Sequence, residues 1–535
     1  MSTSAIQVSP WAPFKSKIFS ALWLSGMIST IGVRMHEVGA GWLMTSLSTD
    51  PLMVALVQTA TTLPIFLFAL PAGAIADVVS KRKLLIIVQI IMAIVAGLLT
   101  YVVYKGTITP GLLLLFIFAL GTGAAFVAPA KQAIVPQLIP KEELQSAIAL
   151  NSVGFNLSRA IGPAIAGILI TTVGIAAPFA FNAVSFLLII AALLMWCPFR
   201  VIGDLPKERI PGAIMTGLRY VRYSPPLKAT FRKAFAFFIS ASAFWALLPL
   251  LVKTELEGDA KLFGLLIGMI GIGAVIGAIL LPRVKQTFSP ERLVTVSSIA
   301  LVGVFLVAAT FQIKELIMFV CIIFGACWVW VLSTFNVSAQ LALPDWVRAR
   351  GLAIYLMVFF GSMSLGSVVW GLVASEFDIC NAIFIAACTL GLGTFMTRKY
   401  ELNQGKALDL SPSTHWPEPI VADVNDENEL LNERSPVLVT IEYQVDKADV
   451  KAFLSLMYQM GRVRKQYGAY TWNILEESDK PGHFIEQFMD VSWLEHLRHH
   501  QRVTGKDEEL QKKIRALHRG EELPKVRHFL GHEPV

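Results

Sequence analysis

Gly32-Val33-Arg34-Met35-His36-Glu37-Val38-Gly39-Ala40-Gly41-Trp42 lies in the outer half of an apolar run from Ile18 to Leu47. The run is long enough to cross a bilayer as a helix, yet it holds three ionisable side chains. A charge at membrane depth is costly unless it is paired or faces water, so such residues mark pathways or proton relays. Glu37 suits a proton site, because burial raises a carboxyl's pKa and an opposing charge lowers it. Arg34 precedes it by one turn and His36 adjoins it, so Glu37, Arg34 and His36 form the proton-coupling candidate. The plainer alternative is an Arg34–Glu37 pair that neutralises itself near the headgroups.

The rest of the chain has the same apolar character. Its 535 residues are 55% hydrophobic and 16% charged, with a mean hydropathy of +0.61, too apolar for a soluble protein of this length. The apolar runs predict twelve spanning helices, near 18–46, 53–76, 84–104, 111–136, 147–172, 176–197, 230–252, 262–282, 292–312, 315–340, 351–375 and 379–397. Lys81-Arg82-Lys83, Lys141, Arg200 to Lys233, Arg283, Lys285, Arg292, Arg348, Arg350, Arg398 and Lys399 fall on one set of loops. That set is predicted to be cytoplasmic, with both termini inside a bacterial inner membrane. The net charge divides into roughly +13 before residue 400 and roughly −6 after it, which is a topology signal and argues against nucleic acid as a partner. Lys15 and Lys17 lead into a run too long for a cleavable signal. Cys197, Cys321, Cys327, Cys380 and Cys388 lie in apolar stretches without a Cys-x-x-Cys pair and read as core hydrophobes.

A shift of 204 positions superposes Gly73 on Gly277, Gly121 on Gly325, Pro140 on Pro344, Ala149 on Ala353, Gly162 on Gly366 and Gly167 on Gly371. The constant offset predicts a duplicated six-helix bundle, 1–197 and 230–399, with the substrate between the halves. Residues 198–229 join them. There Ile214, Leu218 and Val221 fall on one side of a short amphipathic helix, and Arg219 and Arg222 are expected at the headgroups.

Specific motifs now carry a family resemblance. Gly73-Ala-Ile-Ala-Asp77-Val-Val-Ser-Lys81-Arg82-Lys83 resembles the loop between helices 2 and 3 of the major facilitator superfamily. Pro129-Ala130-Lys131-Gln132-Ala133 through Asn151, Asn156, Arg159, Gly162-Pro163 and Gly167 is similar to its transmembrane secretion effector branch, the enterobactin-exporter-like group. Gly32, Gly39, Gly41 and Trp42-Leu43 resemble that branch's first helix. Val78 departs from the basic residue often found after the aspartate, and Arg34 replaces a frequent aromatic. The resemblance implies alternating access, a first helix that lines the cavity, and a cytoplasmic gate at Gly73, Asp77, Lys81 and Arg82.

From 400 to 435 the chain turns polar and acidic and reads as a flexible linker. Residues 436–535 then read as a soluble domain of order βαββαβ, which is ferredoxin-like. Val437, Val439, Ile441 and Tyr443 alternate as a half-buried strand. Val450, Phe453, Leu454, Met457 and Met460 recur at helical spacing. Strands are expected at Tyr470 to Leu475, Phe484 to Val491 and Val526 to Leu530. Ser492-Trp493-Leu494-Glu495 is a capping box. Trp493 to Arg498 resembles the antibiotic-biosynthesis-monooxygenase type of dimeric α+β barrel, a type that includes cofactor-independent oxygenases; fold alone does not give function, and a cytoplasmic binding, regulatory or dimerising module is expected. His496, His499 and His500 could share a metal. No Cys or acidic ligand pattern accompanies them, so a solvated face is expected, and no metal or cofactor.

The predicted fold is therefore an all-α membrane protein of twelve transmembrane helices in two pseudo-symmetric halves, plus a C-terminal α+β domain. Its expected function is secondary active transport, as a proton-coupled exporter (antiporter) of a small hydrophobic metabolite, siderophore or drug. The alternatives are an uptake or lipid-like carrier, or a membrane-tethered monooxygenase fused to a transporter. Asn151, Asn156 and Arg159 on the fifth span, with Asn336, Gln340 and Tyr355 in the second half, are the candidate substrate cavity. Trp328, Trp330 and Trp370 could join them. The Gly162-Pro163 stretch resembles an antiporter signature, and its bland reading is close helix packing. The expected partners are a small-molecule substrate, protons, the lipid bilayer and a second copy through the C-terminal domain. No Walker A loop is present, and no enzymatic activity is expected of the membrane part.

Overall fold

The computed structural model describes residues 11–140, 143–196, 210–344, 346–402, 413 and 436–531. Thirteen helices come first in chain order: α1 (Lys17–Leu47), α2 (Pro51–Val78), α3 (Lys81–Tyr104), α4 (Pro110–Leu138), α5 (Leu144–Thr172), α6 (Ala177–Met195), α7 (Ile210–Tyr223), α8 (Pro225–Leu250), α9 (Ala260–Thr287), α10 (Pro290–Thr310), α11 (Lys314–Leu341), α12 (Arg348–Phe377) and α13 (Ile379–Thr397). All but α7 are long and apolar enough to cross a membrane. The C-terminal domain follows as β1 (Val437–Gln444), α14 (Val450–Tyr467), β2 (Thr471–Glu476), β3 (His483–Asp490), α15 (Trp493–Arg502), α16 (Gly505–Arg515) and β4 (Lys525–Leu530). Most of the polar linker, 403–412 and 414–435, lies outside the described residues.

Short polar loops start the spans. Asp50, Asp259 and Asp378 accept the backbone N–H of Leu52, Leu262 and Asn381 at 2.9, 2.9 and 2.8 Å, satisfying a helix-start donor that nothing in a bilayer would satisfy. Proline opens α2, α4, α6 and α10, where its missing N–H costs nothing. In α8, Pro249 removes a donor and the helix widens into a π turn over Leu251–Glu255.

The chain divides into two compact units. Met1–Pro206, Thr230–Asn336 and Tyr355–Leu402 form the membrane unit, and the duplication is visible in it. Moved by 204 positions, α4 coincides with α11 and α5 with α12 to within a residue at each end. The repeated glycines do equivalent work. A Cβ on Gly121 would meet the Ala60 and Thr61 carbonyls of α2, and one on Gly325 the Ile270 carbonyl of α9. A Cβ on Gly167 would fall 2.9 Å from the Ala260 carbonyl oxygen in the other half, and one on Gly371 3.1 Å from Leu52 Cα in the reverse sense.

Lys207–Ala229, Val337–Ile354 and Asn403–Val535 form the second unit. Its four strands are antiparallel in the order β2-β3-β1-β4. Val437, Val439, Ile441 and Tyr443 of β1 pack on Phe453, Met457 and Met460 of α14, as their spacing predicts. Two helices, not one, separate β3 from β4. Ser492 caps α15 by accepting from Glu495 N–H at 3.2 Å. The Glu495 carboxylate turns instead to Arg498 and Arg502, so half of the expected capping box forms.

Arg219, expected at the headgroups, has a protein partner. It donates to the Gly468 carbonyl at 2.6 Å, because α7 lies against α14. The covered face of α7 holds Gly217 and Tyr220. Leu218, with Met215 and Arg222, is exposed. Trp346, between α11 and α12, stacks near Tyr220 (5.7 Å) and Tyr467 (5.9 Å), and the Arg502 guanidinium covers it at 4.7 Å. Trp346→Ala should loosen this junction by about 2 kcal/mol, less than the ~3–5 of a fully buried aromatic. Faster hydrogen exchange in α7 would report it, and unchanged exchange would contradict it.

Candidate functional site

The Arg34 Nη1 donates to Glu37 Oε2 at 2.6 Å, one turn apart at mid-helix in α1. The two side chains are 29% and 34% exposed. Glu37 is thus not the well-buried carboxylate expected from sequence, but a paired and part-exposed one.

α5 supplies the opposite wall. Its residues 155, 159 and 162 share one face. The Arg34 guanidinium lies 5.8 Å from the Phe155 ring centre. A Cβ on Gly162 would fall 2.8 Å from Arg34 Cβ, so glycine there lets α5 approach the arginine closely. Arg159, half-buried, is near enough to feel the charges of both Arg34 and Glu37. Lys131 of α4 lies farther along α1, with Nζ 3.4 Å from where a Gly26 Cβ would stand, about two turns before Arg34. Neither Arg159 nor Lys131 has an ion-pair partner among the described residues. Lys131 lies within the family motif but outside the predicted site, although a lysine inside an apolar run is itself the signal.

The other predicted residues are dispersed. His36 is buried with its ring 5.2 Å from Phe179, and neither ring nitrogen has a hydrogen-bond partner, so it stands apart from the Arg34–Glu37 pair. Asn156 donates to the Ser152 carbonyl of its own helix at 2.9 Å, and Asn151 is half-buried. Tyr355 is 1% exposed and packs on Phe231. Asn336 is half-buried and Gln340, one turn on, is exposed. Trp330 and Trp370 donate to the Gly277 and Ile239 carbonyls at 2.8 and 2.7 Å, and Trp328 lies within a cluster including Phe237, Phe238 and Phe324. These tryptophans bind helices together.

At the gate motif, Arg82 donates twice to the last carbonyls of α6, Leu193 and Leu194, each at 2.9 Å. A guanidinium there satisfies orphan carbonyls and meets the negative end of the helix dipole. Gly73 and Lys81 are half-buried, and the Asp77 side chain lies outside the described residues.

Contacts between the halves gather at the helix ends remote from the membrane unit's termini. There α5 meets α9 through Gly167–Ala260 and Gly264–Pro163, and α2 meets α12 through Gly371–Leu52. Thr59 donates to the Ser364 carbonyl, Ser375 to Asp50 and Lys253 to the Thr45 carbonyl. Gly167→Leu should force this seam apart by about 1–3 kcal/mol of overpacking. Faster modification of a cysteine placed at buried Thr45 by an impermeant maleimide would show it, and unchanged labelling would contradict it.

A family profile described as transmembrane secretion effector matches residues 8–534. The staphyloferrin A transporter of Staphylococcus aureus is 27% identical over 73% of this chain and 98% of that protein. An enterobactin exporter of Salmonella choleraesuis is 26% identical over 55% of this chain and 70% of its own length. A multidrug efflux pump, Tap, of Mycolicibacterium fortuitum is 24% identical over 64% and 86%. Among solved structures, the nucleoside transporter NupG aligns with a TM-score of 0.56 at 13% identity, over 72% of this chain and 100% of its own. A bacterial Spinster homologue in an inward-facing, unoccupied conformation gives 0.55 at 16%, over 72% and 98%. The two structural likenesses show the fold over about 72% of the chain.

Proposed function

The chain belongs to the transmembrane secretion effector family of secondary transporters, and from that premise we propose that it exports a small amphipathic metabolite of the siderophore kind in exchange for protons. The observation that carries the reading is the part-exposed Arg34–Glu37 pair at mid-helix in α1, with Arg159 of α5 near enough to feel both charges. Exchange requires that proton and substrate exclude one another. An ionised Glu37 accepts charge-assisted hydrogen bonds from substrate hydroxyl or amide groups, and protonation removes the charge and leaves only a weaker carbonyl acceptor. Arg159 and Lys131 suit anionic groups on the same molecule.

The loop charges support an orientation with both termini in the cytoplasm. On that orientation the glycine seam closes the outer side. Arg82 would then hold α6 in place at the cytoplasmic gate. The sheet order β2-β3-β1-β4 supports a ferredoxin-like reading of the C-terminal domain. Its contacts with α7 and Trp346 support a regulatory docking role. Everted vesicles supplied with staphyloferrin A or enterobactin test the whole reading. Uptake into the vesicles should follow an imposed pH gradient and collapse with it; gradient-independent uptake, or none with either probe, would refute it.

A further inference from the structure

α15 carries two histidines one turn apart, His496 and His500, and both face His528 on the edge strand β4. The ring centres are 4.7 Å apart for His496–His500, 4.9 Å for His496–His528 and 6.5 Å for His500–His528. One nitrogen from each ring lies within 4.8 Å of the other two. On its far side, His496 Nδ1 is 2.8 Å from Asp490 Oδ2. The His496 ring is 1% exposed, and its Nε2 is buried without a hydrogen-bond partner. Leaving a buried nitrogen unsatisfied costs about 1–3 kcal/mol, so this atom requires an account.

We propose that His496, His500 and His528 hold one divalent first-row transition cation, with Asp490 as the carboxylate that orients His496. Asp490 accepts the Nδ1 proton and so fixes the tautomer that leaves a lone pair on Nε2. A carboxylate behind a ligating imidazole is the recurrent arrangement of metal-binding histidines. Three imidazoles without a thiolate or carboxylate select zinc, copper or nickel over magnesium or calcium. Ligating nitrogens around tetrahedral zinc stand about 3.3 Å apart, and half-buried His500 and His528 can close to that spacing by side-chain rotation. Trp493, with its ring 5.4 Å from His496 and 6.1 Å from His528, walls one side of the trio. His499 is turned away, against Tyr467, Phe488 and Asp490. Three ligands leave a fourth position for water or an outside donor. The site is independent of the transport reading.

The test uses the purified full chain, stripped with a chelator and titrated with Zn2+ by calorimetry and with Co2+ by its visible absorption. One equivalent should bind with a tetrahedral, nitrogen-ligated cobalt spectrum. His528→Gln, on an edge strand, should weaken binding by more than about 100-fold, and Asp490→Asn by about 10–100-fold. His518→Gln removes a histidine outside the trio and should leave affinity unchanged. Absence of saturable one-equivalent binding, an octahedral aquo-like cobalt spectrum, or full affinity in His528→Gln would overturn the proposal. Equal melting of metal-free His528→Gln and metal-free wild type separates lost ligation from lost folding. If that variant melts lower, the wild-type cobalt spectrum decides alone.

Discussion

Glu37→Gln should abolish gradient-driven transport while leaving insertion and substrate binding measurable. The amide keeps the volume and can still meet Arg34, but it cannot exchange a proton. A gradient of one pH unit is worth about 1.4 kcal/mol per proton, or about tenfold accumulation in a one-proton exchange. The variant should lose that factor and only equilibrate its substrate. Arg34 then loses its anionic partner at 2.6 Å and becomes an unpaired intramembrane cation. Glu37→Gln should therefore also bind anionic substrates more tightly, as Arg34 is no longer neutralised. Wild-type accumulation in this variant, read in everted vesicles at matched expression, would exclude Glu37 from coupling.

The second large effect is expected in the C-terminal domain. Along β3, Phe484, Glu486, Phe488 and Asp490 all point inward, so two carboxylates are buried in an otherwise apolar face. Glu486 is compensated by Arg464 Nε at 3.1 Å, Trp472 Nε1 at 3.0 Å and Tyr443 Oη at 3.3 Å. Burial by itself would lower the Arg464 pKa, and Glu486 outweighs it and raises it. Asp490 is likewise disfavoured by burial, yet His499 and His496 hold its carboxyl below the usual range. Removing one member of a buried ion pair strands the other, at a cost of about 3–5 kcal/mol. Glu486→Ala should thus unfold residues 436–531 well before the membrane unit, seen as a new low-temperature transition and rapid proteolysis. Arg464→Met with Glu486→Leu should recover most of the loss, because well-packed apolar replacements need no pairing. A single variant with wild-type melting would contradict this account of the core.

The membrane architecture was legible because its signals are repetitive. Twelve apolar runs, proline and aspartate at span starts, and glycines at one constant offset all recur in the helices and in the seam between Gly167, Gly371 and their partners. The α14 face and strands β1 and β3 were equally readable from their period. Side-chain direction was less so. Neighbours in sequence, His36 and Glu37 point to different places on a helix, one toward Phe179 and the other toward Arg34. The α15 histidines read as a solvated face because their counterparts, Asp490 and His528, come from other elements. Their burial depends on a sheet that no local spacing reveals. The packing of α7 was hidden for the same reason, since Tyr220 turns toward Trp346 and Tyr467.

Substrate-induced proton movement in sealed proteoliposomes tests coupled export most directly. With the chain reconstituted and a pH-sensitive dye inside, adding a polycarboxylate siderophore to one face should dissipate an imposed pH gradient. Glu37→Gln should abolish the signal, and Arg159→Gln should shift it to higher substrate concentration. A siderophore transported without any proton movement, or a dye response unchanged in Glu37→Gln, would contradict the account.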